Sequence, residues 1–297
     1  MPDYKPRRWL PASLLGLTWI TVTGVGARLQ YNFNLLRPPY HSNKDLFPFL
    51  WLWRHPHEFF LGLPFSTTLL GILMAHEWGH VWACRRHALA ASYPHFLPAP
   101  SLLGTFGAFI RIHSPFENRR ALLDVGMAGP LAGMALAVPL FYWGALGSVM
   151  RPYASAANAF HFGWPWLAQV LLALAHPAWG AGRVYLSPMA RAAWFGFLAT
   201  MLNLLPIGQF DGGHILYAFL PRQHRWVSFA LIGLLLVAGW RIWQGWLIWG
   251  VMGLAMRGRH PYVPDTGEKL GWLRIALALV CLGIALATFV VRPVWTT

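Results

Sequence analysis

The chain has 297 residues, of which 57% are apolar and 15% aromatic, and its 23 basic and 9 acidic residues leave a net charge of +14. Only 11% are charged, against roughly 25% in soluble domains, which excludes a soluble globular protein and a disordered chain. In so apolar a chain the basic excess reads as loops that fix orientation and meet anionic lipid, and a nucleic-acid partner is not expected.

The first apolar run, residues 9–27, follows Lys5, Arg7 and Arg8. It has no clear small-x-small cleavage site, so it reads as a retained first span. Further spans are expected at 60–83, 121–147, 189–206, 227–240, 242–256 and 271–291, from charge-poor apolar runs, the segments 227–240 and 242–256 being short for a crossing. Between 227 and 256 one long helix competes with a hairpin, and Arg241, Gln244 and Gly245 favour a turn. With seven spans and the N-terminus inside, the inner loops hold Lys5, Arg7, Arg8, Arg85, Arg86, Arg111, Arg119, Arg120, Arg222, Arg225, Arg257, Arg259, Lys269 and Arg274, fourteen of the 23 bases. The positive-inside rule therefore also favours the hairpin. Residues 164–176 are Trp-rich, too short to cross, and suit the interface. Residues 96–112 are apolar but rich in Pro and Gly, which suits a re-entrant β-like loop whose edge strand pairs with an extended peptide, or else a packing loop. Cys84 and Cys281 are too few and too separated for a disulfide framework and read as apolar packing. The expected fold is an all-α polytopic membrane protein of about seven transmembrane helices with one re-entrant β-like loop. Residues 1–297 form a single integral-membrane domain, with a core at about 60–220 and C-terminal helices at 227–291.

The second span ends in His76-Glu77-Trp78-Gly79-His80. Residues four apart share a helix face, so the two imidazoles can bind one Zn²⁺ and the adjacent Glu can reach its water. Ionisable groups within a span are costly and mark function, and three fall within five residues here. A catalytic zinc usually takes three protein ligands. Asp211 is the candidate for the third, lying in Asn203-Leu204-Leu205-Pro206-Ile207-Gly208-Gln209-Phe210-Asp211-Gly212-Gly213. A lone carboxylate in apolar sequence needs a cation, and Pro206 with the glycines marks irregular backbone beside a cavity. Asp124 is read as a cap or as a salt-bridge partner near Arg119. His55 and His57 flank Pro56 near the outer interface and are not read as ligands.

The HExxH in one span, followed by N-x-x-P and D-G-G in a later one, resembles the site-2 protease family of intramembrane zinc metalloproteases. Gly104-Thr105-Phe106-Gly107-Ala108, Asp124 through Ala128-Gly129-Pro130 to Ala132-Gly133, His176-Pro177 and Arg259-His260-Pro261 look like its EGY-type subgroup, known from chloroplasts and bacteria. The resemblance covers about residues 60–292. Phe210 stands where the family often has Leu, and there is no PDZ insertion. The resemblance implies that His76, His80 and Asp211 hold one Zn²⁺ per chain and that Glu77 is the general base. It implies a catalytic hydrogen bond from Asn203 to substrate backbone or oxyanion, with an interhelical packing role as the other reading. His214 supports the centre or is structural. The small-residue run at 128–133 is read mainly as close helix packing.

The implied function is hydrolysis of a peptide bond within or near a transmembrane segment of another membrane protein. The partners are that substrate and the lipid bilayer, and no pattern in the chain fixes an oligomeric state. An inactive relative that chaperones membrane proteins conflicts with the intact Glu77. A zinc transporter conflicts with ligands gathered at one face. Without a recognisable transit peptide, a bacterial inner membrane is expected, with the active site toward the cytosol. At 1.5 Å rise per residue the histidines lie roughly 7 and 13 Å from Arg85, which puts the metal about 10 Å below the inner surface.

Overall fold

The computed structural model describes residues 9–40, 43–100, 102–150, 160–178, 184–256, 258, 260–265, 267 and 269–296. Lys5, Arg7, Arg8, Arg257 and Arg259, which entered the charge count, lie outside the described residues. Among the described residues three helical segments are long and apolar enough to cross a membrane: Trp9–Asn34, Pro56–Arg86 and Arg119–Leu146.

Helix α1 (Trp9–Asn34) leads through two short helices, α2 (Asn43–Leu46) and α3 (Phe49–Arg54), into a 3-10 turn over Pro56–Gly62 and then α4 (Leu63–Arg86). Asp45 anchors the far end of α1, accepting from Arg28 Nε at 2.6 Å and from Asn32 Nδ2 at 3.0 Å. This polar knot is buried, so both sides are paired as burial requires. Gly62 sits against the α1 backbone at Thr23, where any side chain would collide. The run read as 60–83 is therefore a 3-10 entry followed by an α-helix.

Strands β1 (His95–Pro98) and β2 (Thr105–Phe109) pair antiparallel, with His95 opposite Phe109. The β-like loop expected at 96–112 is thus a hairpin. Its turn uses Gly104 at φ +79°, pressed onto the α1 backbone at Val22, and Thr21 Oγ1 donates to the Gly104 carbonyl at 2.6 Å. α5 (Arg119–Leu146) starts at Asn118, whose side chain accepts from Ala121 N at 2.8 Å. That is the expected bond for an Asn at a helix N-cap.

β3 (Phe160–Phe162) precedes α6 (Trp166–Ala175), the short Trp-rich segment, which buries Ala168, Leu171 and Leu172. α7 (Pro188–Asn203) is capped by Ser187 and packs with α4 and α5 around Ile72, Ala137, Phe141 and Phe197. α8 (Asp211–Phe219), α9 (His224–Arg241), α10 (Gly245–Ala255) and α11 (Trp272–Thr288) complete the helices, and β4 (Val294–Thr296) pairs with β3. Residues 227–256 form two helices, as Arg241 and Gly245 suggested. Gly239 lies against Leu247 and Gly250 against Leu236, so the two helices pack closely as a hairpin.

Helices thus form at all seven places read as spans. α7, α10 and α11 have 16, 11 and 17 residues, short of the roughly 20 that cross a hydrocarbon core. α7 is short because Pro206 has no N–H to continue it. The freed backbone is satisfied by protein: Ser228 Oγ accepts from Gly208 N at 3.2 Å, and the His224 ring reaches the Gly208 carbonyl at 3.1 Å. Irregular backbone at membrane depth is tolerated where protein surrounds it in this way.

Candidate metal centre

The last turns of α4 carry His76, Glu77 and His80, all at most 7% exposed. Helical spacing stacks the two imidazoles with ring centroids 4.9 Å apart. The break at Pro206 turns the chain so that α8 begins at Asp211 and aims its carboxylate at them. His76 Nε2 lies 3.2 Å from Asp211 Oδ2, and His80 Nε2 lies 3.4 Å from Oδ1. One ligand atom from each of the three residues falls within 4.8 Å of the other two.

The donor set fits a zinc ion by two observations. The His76 and His80 Nε2 atoms face each other at 3.2 Å, and the buried Asp211 Oδ2 has no hydrogen-bond partner. The ring nitrogens and carboxylate oxygens crowd within 3.2–3.4 Å of one another, and a cation between the three groups satisfies them together. The histidine tautomer agrees. His80 Nδ1 lies 2.8 Å from the Val125 carbonyl, which can only accept, so Nδ1 carries a proton and in the neutral ring Nε2 presents its lone pair. Such outer hydrogen bonds fix the orientation of metal-binding imidazoles.

A cavity of about 210 Å³ opens on these groups and is lined by His76, Glu77, His80, Asn203, Gln209, Asp211 and His214, with Ala108 to Ile110 and Ile112 from the hairpin side. The five residues singled out in the sequence, His76, Glu77, His80, Asn203 and Asp211, therefore share one space. Asn203 Nδ2 stands 3.2 Å from His76 Nε2. His55 and His57 do not line the cavity.

Two readings change. Asp124 does not pair with Arg119. It accepts from Arg274 Nε at 2.7 Å and Nη2 at 2.8 Å and meets His87 Nε2 at 2.8 Å, while Arg119 pairs with Asp265. A bidentate guanidinium from α11 outcompetes the neighbour on the same helix. The small residues of α5 do more than pack. Gly79 lies against the Ala128 carbonyl, as close packing requires, but a side chain at Gly129 would run into His80 Nε2, and one at Gly133 would crowd His76. Gly126 clears His214 in the same way. The sequence reading also missed the partner of His214, which is His260: His214 Nδ1 and His260 Nε2 lie 2.7 Å apart. The only signal for it was the Arg259-His260-Pro261 motif, which carried no role.

Helices long and apolar enough to span a bilayer, enclosing a buried two-histidine, one-carboxylate centre, define an integral membrane protein with a candidate metal site. Residues 64–237, more than half of the chain, match Peptidase family M50, and the chain belongs to that family. It is 31% identical over 245 residues to "Probable zinc metalloprotease EGY1, chloroplastic" of Arabidopsis thaliana, covering 78% of this chain and 43% of that protein. The EGY1 protein of Oryza sativa subsp. japonica is 30% identical, over 78% of this chain and 41% of its own length. "Probable zinc metalloprotease EGY2, chloroplastic" of Oryza sativa subsp. indica is 29% identical, over 74% and 41%. The chain thus spans about two fifths of the length of these relatives. No solved structure matches it.

Proposed function

We propose that the chain is an intramembrane zinc endopeptidase that cuts a peptide bond within or near a transmembrane segment of another membrane protein. The observation that carries this reading is the convergence of His76, His80 and Asp211 on one point, with the buried Glu77 in the same cavity. In this reading His76, His80 and Asp211 hold one Zn²⁺ per chain. Bound zinc supplies Lewis acidity, polarising a peptide carbonyl and making water acidic enough to lose a proton near neutral pH. The Glu77 carboxylate takes the proton of the attacking water and passes it to the leaving amine. The Val125 carbonyl keeps the His80 ring in its tautomer, and the Asn203 amide donates to the developing oxyanion or to substrate backbone.

The hairpin presents the substrate. Among the described residues β2 pairs only with β1, and Ala108 and Phe109 of β2 line the cavity. Its free edge offers ladder hydrogen bonds to a peptide that has left the helical state. This matters because a helix keeps its carbonyls occupied internally.

The working topology keeps seven spans, counting α7, the irregular segment and α8 as one broken crossing, with the centre toward the cytosol. Trp78 with Arg85 and Trp82 with Arg86 form cation–π pairs at 5.4 and 5.7 Å, the aromatic and basic pattern of an inner interface. The relatives' names are chloroplastic, so they lend no support to the bacterial inner membrane expected from the N-terminal residues. The reading is tested by zinc-dependent cleavage of a transmembrane peptide by purified protein. Cleavage lost with chelation and in Glu77→Ala supports it. Cleavage that survives both overturns it.

A further inference from the structure

Described residues between α10 and α11 return to α8 and to the start of α5. Val263 is buried, with its N–H 3.4 Å from the Tyr217 hydroxyl. Arg119 pairs with Asp265, and Arg120 donates to the Lys269 carbonyl at 2.6 and 2.8 Å. This strap sets His260 against His214, one turn beyond Asp211 on α8.

The hydrogen bonds dictate where the protons sit. His260 Nδ1 lies 2.7 Å from the Pro261 carbonyl, which has no proton to give, so Nδ1–H donates. Burial pushes the His260 imidazole down to about 4, so at neutral pH the ring is uncharged and Nε2 is a bare acceptor. His214 Nδ1, 2.7 Å away, must then carry the proton, which leaves His214 Nε2 without one. Among the described residues His214 Nε2 has no hydrogen-bond partner, and His214 is part of the cavity lining. A neutral imidazole forced into this tautomer presents an acceptor. An extended peptide offers backbone N–H groups, which need acceptors once they leave a helix.

We propose that His214 binds substrate, its Nε2 accepting a hydrogen bond from a backbone N–H of the peptide in the cavity, and that His260 is a positioning residue that sets the His214 tautomer. The proposal rests on the protease reading for its substrate, but its tautomer half does not.

The test uses the full chain, loaded with zinc in detergent, with ¹⁵N-labelled histidine and a fluorogenic peptide carrying an apolar segment of about 20 residues. The His214 signal, assigned by its loss in His214→Phe, should show the proton on Nδ1. His260→Ala should move it to Nε2, and His260→Gln, whose side-chain carbonyl can accept from Nδ1–H, should return it. His214→Phe and His260→Ala should raise KM about five- to tenfold with kcat within about twofold, the size of one net hydrogen bond, at unchanged zinc content. His214→Gln and His260→Gln should recover most of the loss. A wild-type His214 protonated on Nε2 overturns the proposal, as does an unchanged KM in His260→Ala. Should His214→Phe fail to fold, the His260 pair decides alone. A wild-type chain that holds zinc and cuts no peptide overturns the protease reading and the substrate contact with it, while the ring tautomer still decides the His214–His260 half.

Discussion

At the scale of single residues, the zinc site depends most on Asp211, whose Oδ2 meets the His76 ring at 3.2 Å without making a hydrogen bond. Asn in its place keeps the shape and removes the charge, so Asp211→Asn should lower zinc occupancy at least tenfold, measured by elemental analysis after dialysis. Glu77→Gln should keep zinc and lower kcat by about 10²- to 10⁴-fold, the usual weight of a general base. Equal zinc and equal turnover in Asp211→Asn would show that the third ligand lies elsewhere. Gly129→Ala is a quieter test of the same centre. The added methyl would push the His80 ring out of place, so zinc should be lost although no ligand has changed. Retained zinc in a folded Gly129→Ala would mean that the His80 ring has another position available.

Among the elements, the hairpin and the strap make separate predictions. Phe106 sits at the register shift of the hairpin, between Thr105, paired with Pro98, and Gly107, paired with Leu97, and the residue is 76% exposed. Phe106→Pro removes a backbone donor from β2 and fixes φ at its register shift. Cleavage should fall below detection with zinc content intact, and full activity in that variant would remove the docking role. The strap should respond to pH. Burial lowers the His260 pKa to about 4, below the roughly 6.5 of a free imidazole. Between those values the unfolded chain binds more protons than the folded one, so the strap is fully held above pH ~6.5 and loosens as pH falls toward ~4. The rings facing His260 are His214, His224 and Tyr217, and none supplies a carboxylate to offset its charging. Limited proteolysis at Lys269 should therefore speed up between pH 7 and pH 5. In His260→Gln the change should be smaller, since burial also holds the neighbouring His224 below its ordinary value.

For the whole molecule the prediction concerns where a substrate is cut. In the proposed topology the basic end of α4 and the helical rise would put the centre about 10 Å inside the inner face. Mass spectrometry of the fragments should therefore put the scissile bond in the inner half of the substrate's span. Gly, Asn or Pro near that bond should speed cleavage, because opening a helix in lipid leaves costly unpaired groups. Cuts clustered in the outer half would show that the orientation or the depth is wrong.

The sequence by itself determined what local pattern can carry. Hydropathy and length placed helices at all seven expected positions. The four-residue histidine spacing put two imidazoles on one helix face, and Pro206 with its glycines marked the break that brings Asp211 to them. Arg241 and Gly245 marked the turn of the C-terminal hairpin. Only the tertiary structure decided partners distant in the chain. Asp124 meets Arg274 and His87 rather than the nearby Arg119, and His214 meets His260 from a strap two helices later. The α5 glycines, read as packing residues, do pack closely and also clear space for the imidazoles. The physical reason is common to the two polar pairings. Periodicity records which face of an element is apolar, whereas the pairing of polar groups depends on which side chains folding brings within about 3 Å, a distance that hydrogen bonding requires and no local pattern encodes.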